Sequence, residues 1–224
     1  MELLTERLLL RPLKMEDADA LYACSCGPNV GPNAGWKPHQ SPEETRALME
    51  PVFLRPGVFG IFVKQSGTLV GSIGLIDDPR REYERSRMLG YSLGEPYWGH
   101  GYMTEAGRAV LDYGFGTMGL LVISAYCYPF NTRSVRVLQK LGFSYEGTLC
   151  LCEKRYDGAV LDNQCYALTA EQFCKQKRPR KGVFFYYCVF SVSRSFFLNS
   201  ALSIRLTTVA FTAQSPSFSA SAPA

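Results

Sequence analysis

The sequence lacks the features of a secreted, membrane-spanning or metal-binding protein. Its first residues, MELLTERLLLRPL, contain no basic segment followed by an apolar core and a cleavage site, so no secretory signal is expected. The closely spaced cysteines, Cys24/Cys26 and Cys150/Cys152, are C-x-C pairs and not the C-x-x-C of zinc knuckles or thioredoxin-like sites. Beyond residue 173, arginines interrupt the apolar stretches well short of the roughly 20 residues that a spanning helix needs. We therefore expect a cytoplasmic protein with reduced cysteines, no membrane segment and no metal site.

Acidic residues are absent from the last part of the chain. The 224 residues include 24 Lys and Arg and 20 Asp and Glu, a formal net charge of +4. Seven basic and no acidic residues follow Phe173, so residues 1–173 carry 17 basic and 20 acidic side chains, a net charge of −3. A mildly acidic body does not favour a nucleic-acid partner. We predict one domain at 1–173 and, at 174–224, a basic and then aromatic, Ser- and Ala-rich tail outside that domain, interpreted as appended or out-of-frame sequence.

The apolar pattern of residues 1–173 predicts a mixed α/β fold. Continuous or alternating apolar runs bounded by turn residues indicate strands, and apolar residues at helical spacing indicate helices. The element order is β-α-α-β-β-β-α-β-α-β-β, which suits a layered sheet with helices packed on it. The predicted strands lie at 7–13, 58–63, 69–76, 88–93, 120–126, 143–155 and 160–168, and the helices at 15–26, 41–50, 102–115 and 131–141, with a loop at 29–42.

The turn between the predicted strand 88–93 and the helix that begins at Tyr102 contains two glycines, Gly99 and Gly101. A glycine turn at a helix start directs unpaired main-chain N–H groups, backed by the helix dipole, at one point where a pyrophosphate fits. The alternative is an ordinary tight turn that caps a helix. Two other nucleotide motifs are excluded, because Thr104 stands where the Rossmann fingerprint needs its third glycine and no Gly-Lys-Ser/Thr of a Walker loop is present.

The segment EPYWGHGYMTEA at 95–106 resembles the pyrophosphate loop of GNAT acetyltransferases, in particular of the Rim-type branch that acetylates protein N-termini. Four further segments agree in order and spacing, and the resemblance covers about residues 1–172. They are TERLLLRP at 5–12, GWKPH at 35–39, NTRS at 131–134, and LGF at 141–143 followed by Glu146-Gly147. The resemblance implies a twisted, mostly antiparallel sheet that is splayed between its fourth and fifth strands, with helices on both faces.

The resemblance also implies which residues bind acetyl-CoA as co-substrate. Strand residues would pair with the pantetheine amides, main-chain N–H groups of the turn would hold the pyrophosphate, and one asparagine would reach the cofactor. Pro96 replaces the Gln or Arg of the family motif, which leaves main-chain contacts possible. The implied cofactor-binding residues are Tyr91, Ser92, Leu93, Trp98, Gly99, His100, Gly101, Tyr102, Met103 and Asn131.

Two residues are candidates for the chemistry. Many GNAT enzymes use a tyrosine as the acid where this chain has Leu138, whereas in Rim-type enzymes a serine and a glutamate nineteen residues later take the acid and base roles. Ser134 and Glu153 stand at these positions here. The alternatives are that Ser134 is a first-turn capping residue and that Glu153 is a solvated strand residue. Met88 stands where relatives often carry a glutamate, so no base is expected on that strand.

The acceptor is predicted to be a primary amine. A protein α-amino group has a pKa of about 7.7–8.0 and needs less help to lose its proton than a lysine at about 10.4. We expect a protein or peptide N-terminus as acceptor, with a small amine, or a non-catalytic acyl-CoA-binding module, as alternatives. By resemblance, Trp36 and His39 lie in the loop that lines the acceptor site, and Tyr83 is a further candidate for contact with the acceptor. The expected assembly is a monomer or a homodimer.

Overall fold

The computed structural model describes residues 1–177, all of which lie in the compact unit Met1–Arg180. The predictions for the tail therefore fall almost entirely outside the described residues. The strands are β1 (Leu3–Leu4), β2 (Leu8–Arg11), β3 (Val58–Val63), β4 (Leu69–Ile76), β5 (Ser86–Leu93), β6 (Val122–Cys127), β7 (Ser144–Lys154) and β8 (Val160–Thr169). The α-helices are α1 (Ala18–Ser25), α2 (Val30–Ala34), α3 (Pro42–Leu48), α4 (Tyr102–Asp112), α5 (Thr132–Leu141) and α6 (Ala170–Lys177).

The eight described strands form one sheet in the order β1-β2-β3-β4-β5-β6-β8-β7. Every neighbouring pair is antiparallel except β5 and β6, which are parallel. A parallel pair needs a crossover connection, and α4 supplies it here. The predicted mixed α/β fold with a mostly antiparallel sheet is therefore confirmed.

Helices cover both faces of the sheet, as predicted. Successive residues of a strand point to opposite faces. In β3, Ile61 belongs to the core cluster that includes Val110 of α4 and Leu138 of α5, whereas its neighbour Phe62 belongs to the cluster with Leu21 of α1. The larger core thus lies on the face covered by α4 and α5, and the smaller one lies under α1.

Three short elements were not predicted. The expected loop at 29–42 contains α2, which ends at Gly35 with a φ of 91° that favours glycine. Strand β1 precedes the first predicted strand. Helix α6 continues the last strand directly, and Phe173 packs on Phe115 with ring centroids 4.8 Å apart. The domain boundary proposed at residue 173 therefore falls inside a helix that the structure follows to Lys177.

Candidate active site

The site lies where β5 and β6 separate. The two strands pair only over Ser86–Met88 and Val122–Ser124. Beyond that point β5 stays paired with β4 as far as Leu93, while β6 stays paired with β8. The inner edges of the two strands are thus left facing a gap, which is the splay that the resemblance implied.

A cleft of about 340 Å³ follows the open end of this gap. Its walls come from the end of β5, the glycine turn, the start of α4, one face of α5, and α2. All of the residues predicted to contact the cofactor line this cleft except His100. The His100 ring stacks on Tyr102 with centroids 5.6 Å apart, and its carbonyl oxygen accepts a hydrogen bond from Arg7.

The glycine turn has the conformation that the pyrophosphate interpretation requires. Gly99 and Gly101 have φ values of 82° and 79°, in the left-handed region, and Gly101 is the N-cap of α4. The first amides of a helix have no intrahelical acceptors, and the residues that carry them, from Gly101 to Thr104, line the cleft. The amide of Trp98 differs, because it already donates to the Glu95 carbonyl oxygen at 3.1 Å. The available donors therefore begin at Gly99, one residue later than predicted.

The negative charge in the first turn of α4 is neutralised away from the cleft. Glu105 forms an ion pair with Arg7 at 2.7 Å and accepts further hydrogen bonds from the Arg7 amide and the Thr5 hydroxyl. Burial opposes ionisation, but these hydrogen bonds prevail and lower the pKa of Glu105. The acid is thus an ionised anchor for β2, and it does not compete with a phosphate for the amides.

Three basic residues on α5 were missed by the sequence analysis. Arg133, Arg136 and Lys140 all line the cleft, and the Arg133 guanidinium lies 4.6 Å from the centroid of the Trp98 ring. Their spacing of three and four residues places them on one helix face, and this spacing was a readable signal. Cations at the mouth of the cleft suit a ligand with several phosphate charges.

Helix α2 forms the wall that spans the gap. The Glu95 carboxylate accepts hydrogen bonds from the amide and side chain of Asn29, and these bonds lower its pKa. At the other end, the Asn131 side chain donates to the Asn33 carbonyl oxygen at 2.9 Å. Helix α2 is thereby tied both to the glycine turn and to α5.

Ser134 lies on the cofactor side of the gap with its hydroxyl free of any capping role. The side chain that caps α5 is that of Asn131, which accepts from the Ser134 amide at 3.1 Å. The Ser134 Oγ lies 2.7 Å from the Tyr91 hydroxyl. Burial raises the pKa of Tyr91, so the phenol keeps its proton at neutral pH. The pair forms a short hydroxyl chain at the wall of the cleft.

Glu153 lies in a second cavity of about 260 Å³ at the fork of the splay. Met88, the last residue of β5 that pairs with β6, also lines it. The Glu153 carboxylate accepts from the Tyr128 hydroxyl at 2.5 Å and from the Asn163 amide at 2.6 Å. Glu153 is therefore fixed by hydrogen bonds in this second cavity, which we call the fork cavity, and it is not a freely solvated strand residue.

The two cavities adjoin at α2. Asn33 and Ala34 line both of them, and they separate the cofactor side with Ser134 from the fork side with Glu153. A group bound along the cleft and a second group bound in the fork cavity would meet at this helix. The arrangement can bring two substrates together with one hydroxyl and one carboxylate nearby.

The predicted acceptor residues lie outside the linings of both cavities. The His39 ring packs against Trp36 and Phe53, and its Nδ1 lies 2.8 Å from the Thr45 hydroxyl. His39 is 6% exposed, and burial lowers the pKa of its ring. Tyr83 is 48% exposed on the surface. The structure therefore does not bring these three residues to the site.

Among residues 1–177, no helix is long and apolar enough to cross a membrane. In the same part of the chain, no group of three or more His, Cys, Asp or Glu side chains is placed to hold a metal ion.

Comparison with known proteins defines the class. The acetyltransferase (GNAT) domain family matches residues 7–144, more than half of the chain. The uncharacterized N-acetyltransferase p20 of Bacillus licheniformis is 32% identical over 178 residues, covering 76% of this chain and 97% of p20. A GNAT-family acetyltransferase from Bacillus anthracis matches with a TM-score of 0.68 at 29% identity, covering 76% of this chain and 99% of that one. Over 89 residues, 40% of this chain and 45% of the relative, the chain is 34% identical to the ribosomal protein uS5-alanine N-acetyltransferase of Escherichia coli.

The chain therefore belongs to the GNAT acetyltransferase family and is an N-acetyltransferase. Enzymes of this family use acetyl-CoA.

Proposed function

We propose that this protein transfers the acetyl group of acetyl-CoA to a primary α-amine, in the first place the N-terminus of a peptide or protein, as in the Rim-type branch. The observation that carries the proposal is the pair of adjoining cavities, with Ser134 in one and Glu153 in the other. The similarity to the uS5-alanine enzyme supports a protein N-terminus as acceptor. We further propose that the enzyme acts in the cytoplasm, as a monomer or a homodimer.

In this proposal the cleft binds the co-substrate. Amides from Gly99 to Met103 bind the diphosphate, and Arg133, Arg136 and Lys140 balance its remaining charge. The pantetheine arm binds along the open edge of β5 at Tyr91 and Ser92. The Leu93 carbonyl oxygen is left out of this set, because it already accepts a hydrogen bond from the Trp98 indole at 2.8 Å. Acetyl-CoA supplies the acetyl group as a thioester.

Glu153 takes the proton of the attacking amine in this mechanism. Its two carboxylate oxygens accept one hydrogen bond each from Tyr128 and Asn163, and each keeps a lone pair for another donor. An α-amine with a pKa of about 7.7–8.0 is partly neutral at neutral pH, so a carboxylate is a sufficient base.

Ser134 serves the leaving group. Its hydroxyl donates a hydrogen bond to the CoA sulfur, which leaves as the thiolate, while the Tyr91 phenol 2.7 Å away donates to the Ser134 Oγ and keeps its own proton. Because the pKa of Tyr91 is raised, this phenol stays protonated and neutral across the working pH range.

Small amines are the second candidate acceptors. The specific observation in their favour is the size of the fork cavity, which at about 260 Å³ lies below the usual range for drug-sized ligands. Such a cavity admits a small molecule or the first residue of a chain.

Mass spectrometry of the full chain incubated with acetyl-CoA tests the proposal. The acceptor panel contains free-N-terminus peptides, the same peptides with a blocked N-terminus and an internal lysine, and small amines. We expect acetylation of free α-amines and none of the blocked peptides. Acetylation restricted to lysine side chains, or no product from any amine, would contradict the proposed function.

A further inference from the structure

Arg80 brings a positive charge into the fork cavity. Its side chain lines that cavity together with Glu153, Tyr126 and Asn163. Among residues 1–177, no carboxylate lies within ion-pair distance of its guanidinium. The neighbouring Arg81 differs sharply, because it pairs with Glu146 at 2.6 Å and with the buried Asp78 at 3.7 Å.

The contacts that hold the Arg80 guanidinium are weak. It lies over the Tyr126 ring at 4.0 Å, and its terminal nitrogens lie 3.9 and 3.7 Å from the thiols of Cys165 and Cys152. Thiols are poor hydrogen-bond acceptors. The backbone, in contrast, is fixed, since the Arg80 amide donates to the Asp78 carboxylate at 2.9 Å. The exposed Arg80 side chain thus lines the cavity, and its planar set of donors keeps its capacity for a carboxylate.

The fork cavity contains both a negative side chain, Glu153, and a positive one, Arg80, and this combination determines which ligands fit it. Glu153 and Arg80 share a space of about 260 Å³ without pairing with each other. A ligand that satisfies both must present a basic nitrogen to the carboxylate and an anionic group to the guanidinium, a few bonds apart. A simple polyamine would place a second positive charge against Arg80, which costs affinity.

We propose that the preferred acceptor carries a carboxylate close to its reacting amine, and that Arg80 binds this carboxylate while Glu153 faces the amine. The inference rests on the proposed function, because it assigns the acceptor of that same site. Two sources offer this chemistry. One is the α-carboxylate of a free amino acid, and the other is the side-chain carboxylate of an N-terminal Asp or Glu in a peptide.

Two matched acceptor pairs test the proposal on the full chain. The first is L-alanine and L-alaninamide, and the second is Asp-Ala-amide and Asn-Ala-amide. Rates are expressed per unprotonated amine, because a neighbouring carboxylate changes the amine pKa. We expect the carboxylate member of at least one pair to have a kcat/KM roughly tenfold to hundredfold higher, and the pair that discriminates identifies the source.

Variants assign the effect to Arg80. Arg80→Gln should abolish the preference, because it should raise the KM of the carboxylate acceptor far more than that of the amide acceptor, and Arg80→Lys should restore part of it. Arg46→Gln removes the same charge from a surface ion pair with Asp19 and should keep the full preference.

Three results would overturn the inference. They are equal kcat/KM within both pairs, a preference that survives Arg80→Gln, and an equal loss for acids and amides in Arg80→Gln. If no amine is acetylated although calorimetry still detects CoA binding, the proposed function fails and this inference fails with it.

Discussion

Ser134 and Glu153 are positioned by different kinds of contact. Ser134 is held through its main chain, by the Asn131 cap, and its hydroxyl interacts with the Tyr91 phenol. Glu153 is held through its side chain, by Tyr128 and Asn163. Truncating the serine therefore removes a reactive group without disturbing the helix, whereas changing the glutamate alters a hydrogen-bonded cluster.

Ser134→Ala should lower kcat more than it raises the KM for acetyl-CoA. The melting temperature should change by no more than about 1–2 °C, because the helix cap belongs to Asn131. Steady-state kinetics and thermal unfolding of the same preparation check both statements. A large loss of stability with unchanged kcat would assign Ser134 a structural role.

Glu153→Gln should lower kcat by about 100-fold or more and flatten its rise with pH, because the amide cannot accept the proton of the amine. The glutamine keeps a carbonyl oxygen that accepts from the Tyr128 hydroxyl. Its NH₂ group, however, faces the NH₂ group of Asn163, so the hydrogen bond between these two side chains is lost. Glu171→Gln on the surface of α6 is the charge-matched control. An unchanged pH profile of kcat would remove Glu153 from the mechanism.

His39 should affect the pH dependence of stability and not that of catalysis. Burial lowers its pKa below 6.5 in the folded state, so the unfolded state binds the proton more tightly. Its contribution is complete above pH 6.5 and is lost as the pH falls from 6.5 toward the folded pKa. In His39→Asn, thermal unfolding between pH 7.5 and 5 should depend less on pH than in the parent chain.

The second histidine of the chain is a natural control for this effect. His100→Asn makes the same substitution at an exposed position, and it shows what the exchange of a histidine alone does to the melting temperature. If His39→Asn and the parent chain lose stability in parallel on acidification, the packing interpretation of His39 is wrong.

At the scale of elements, the turn from β5 to α4 and the short helix α2 show what sequence reasoning can detect. The turn was readable because two glycines with defined spacing precede an amphipathic helix, and their left-handed φ values are the physical reason for that spacing. Helix α2 was not readable, since a five-residue helix has little propensity of its own. Tertiary contacts from Glu95 and Asn131 hold it.

Gly101→Glu should weaken acetyl-CoA binding strongly. A side chain at a φ of 79° strains the turn, and a carboxylate beside the amides repels the diphosphate. Gly116→Glu is the matched control, because Gly116 is exposed and a Cβ there meets nothing within 4 Å. We expect the Kd for CoA to rise about 100-fold or more in the first variant and to stay unchanged in the second. Equal affinities would argue against the turn as the phosphate site.

At the scale of the whole molecule, the sheet and its fork followed from the sequence more completely than the acceptor side did. The apolar runs fix which segments are strands, and the family resemblance fixes where they diverge. The acceptor side depends on long-range contacts that no local pattern encodes. Arg80 lines the fork cavity although it lies in the connection between β4 and β5, far from it in sequence. His39 belongs to one of the segments that carry the family resemblance, but its side chain is buried against Thr45 of α3.

The central claim is that main-chain amides at the start of α4 bind the diphosphate of coenzyme A. Calorimetry of the full chain with CoA, and separately with pantetheine, tests it most directly, because pantetheine lacks the diphosphate. The account predicts saturable binding of CoA with a Kd roughly 100-fold or more below that of pantetheine, since charge-assisted hydrogen bonds contribute about 1.5–3 kcal/mol each. Equal affinities for the two ligands, or no heat of binding with CoA at millimolar concentration, would contradict it.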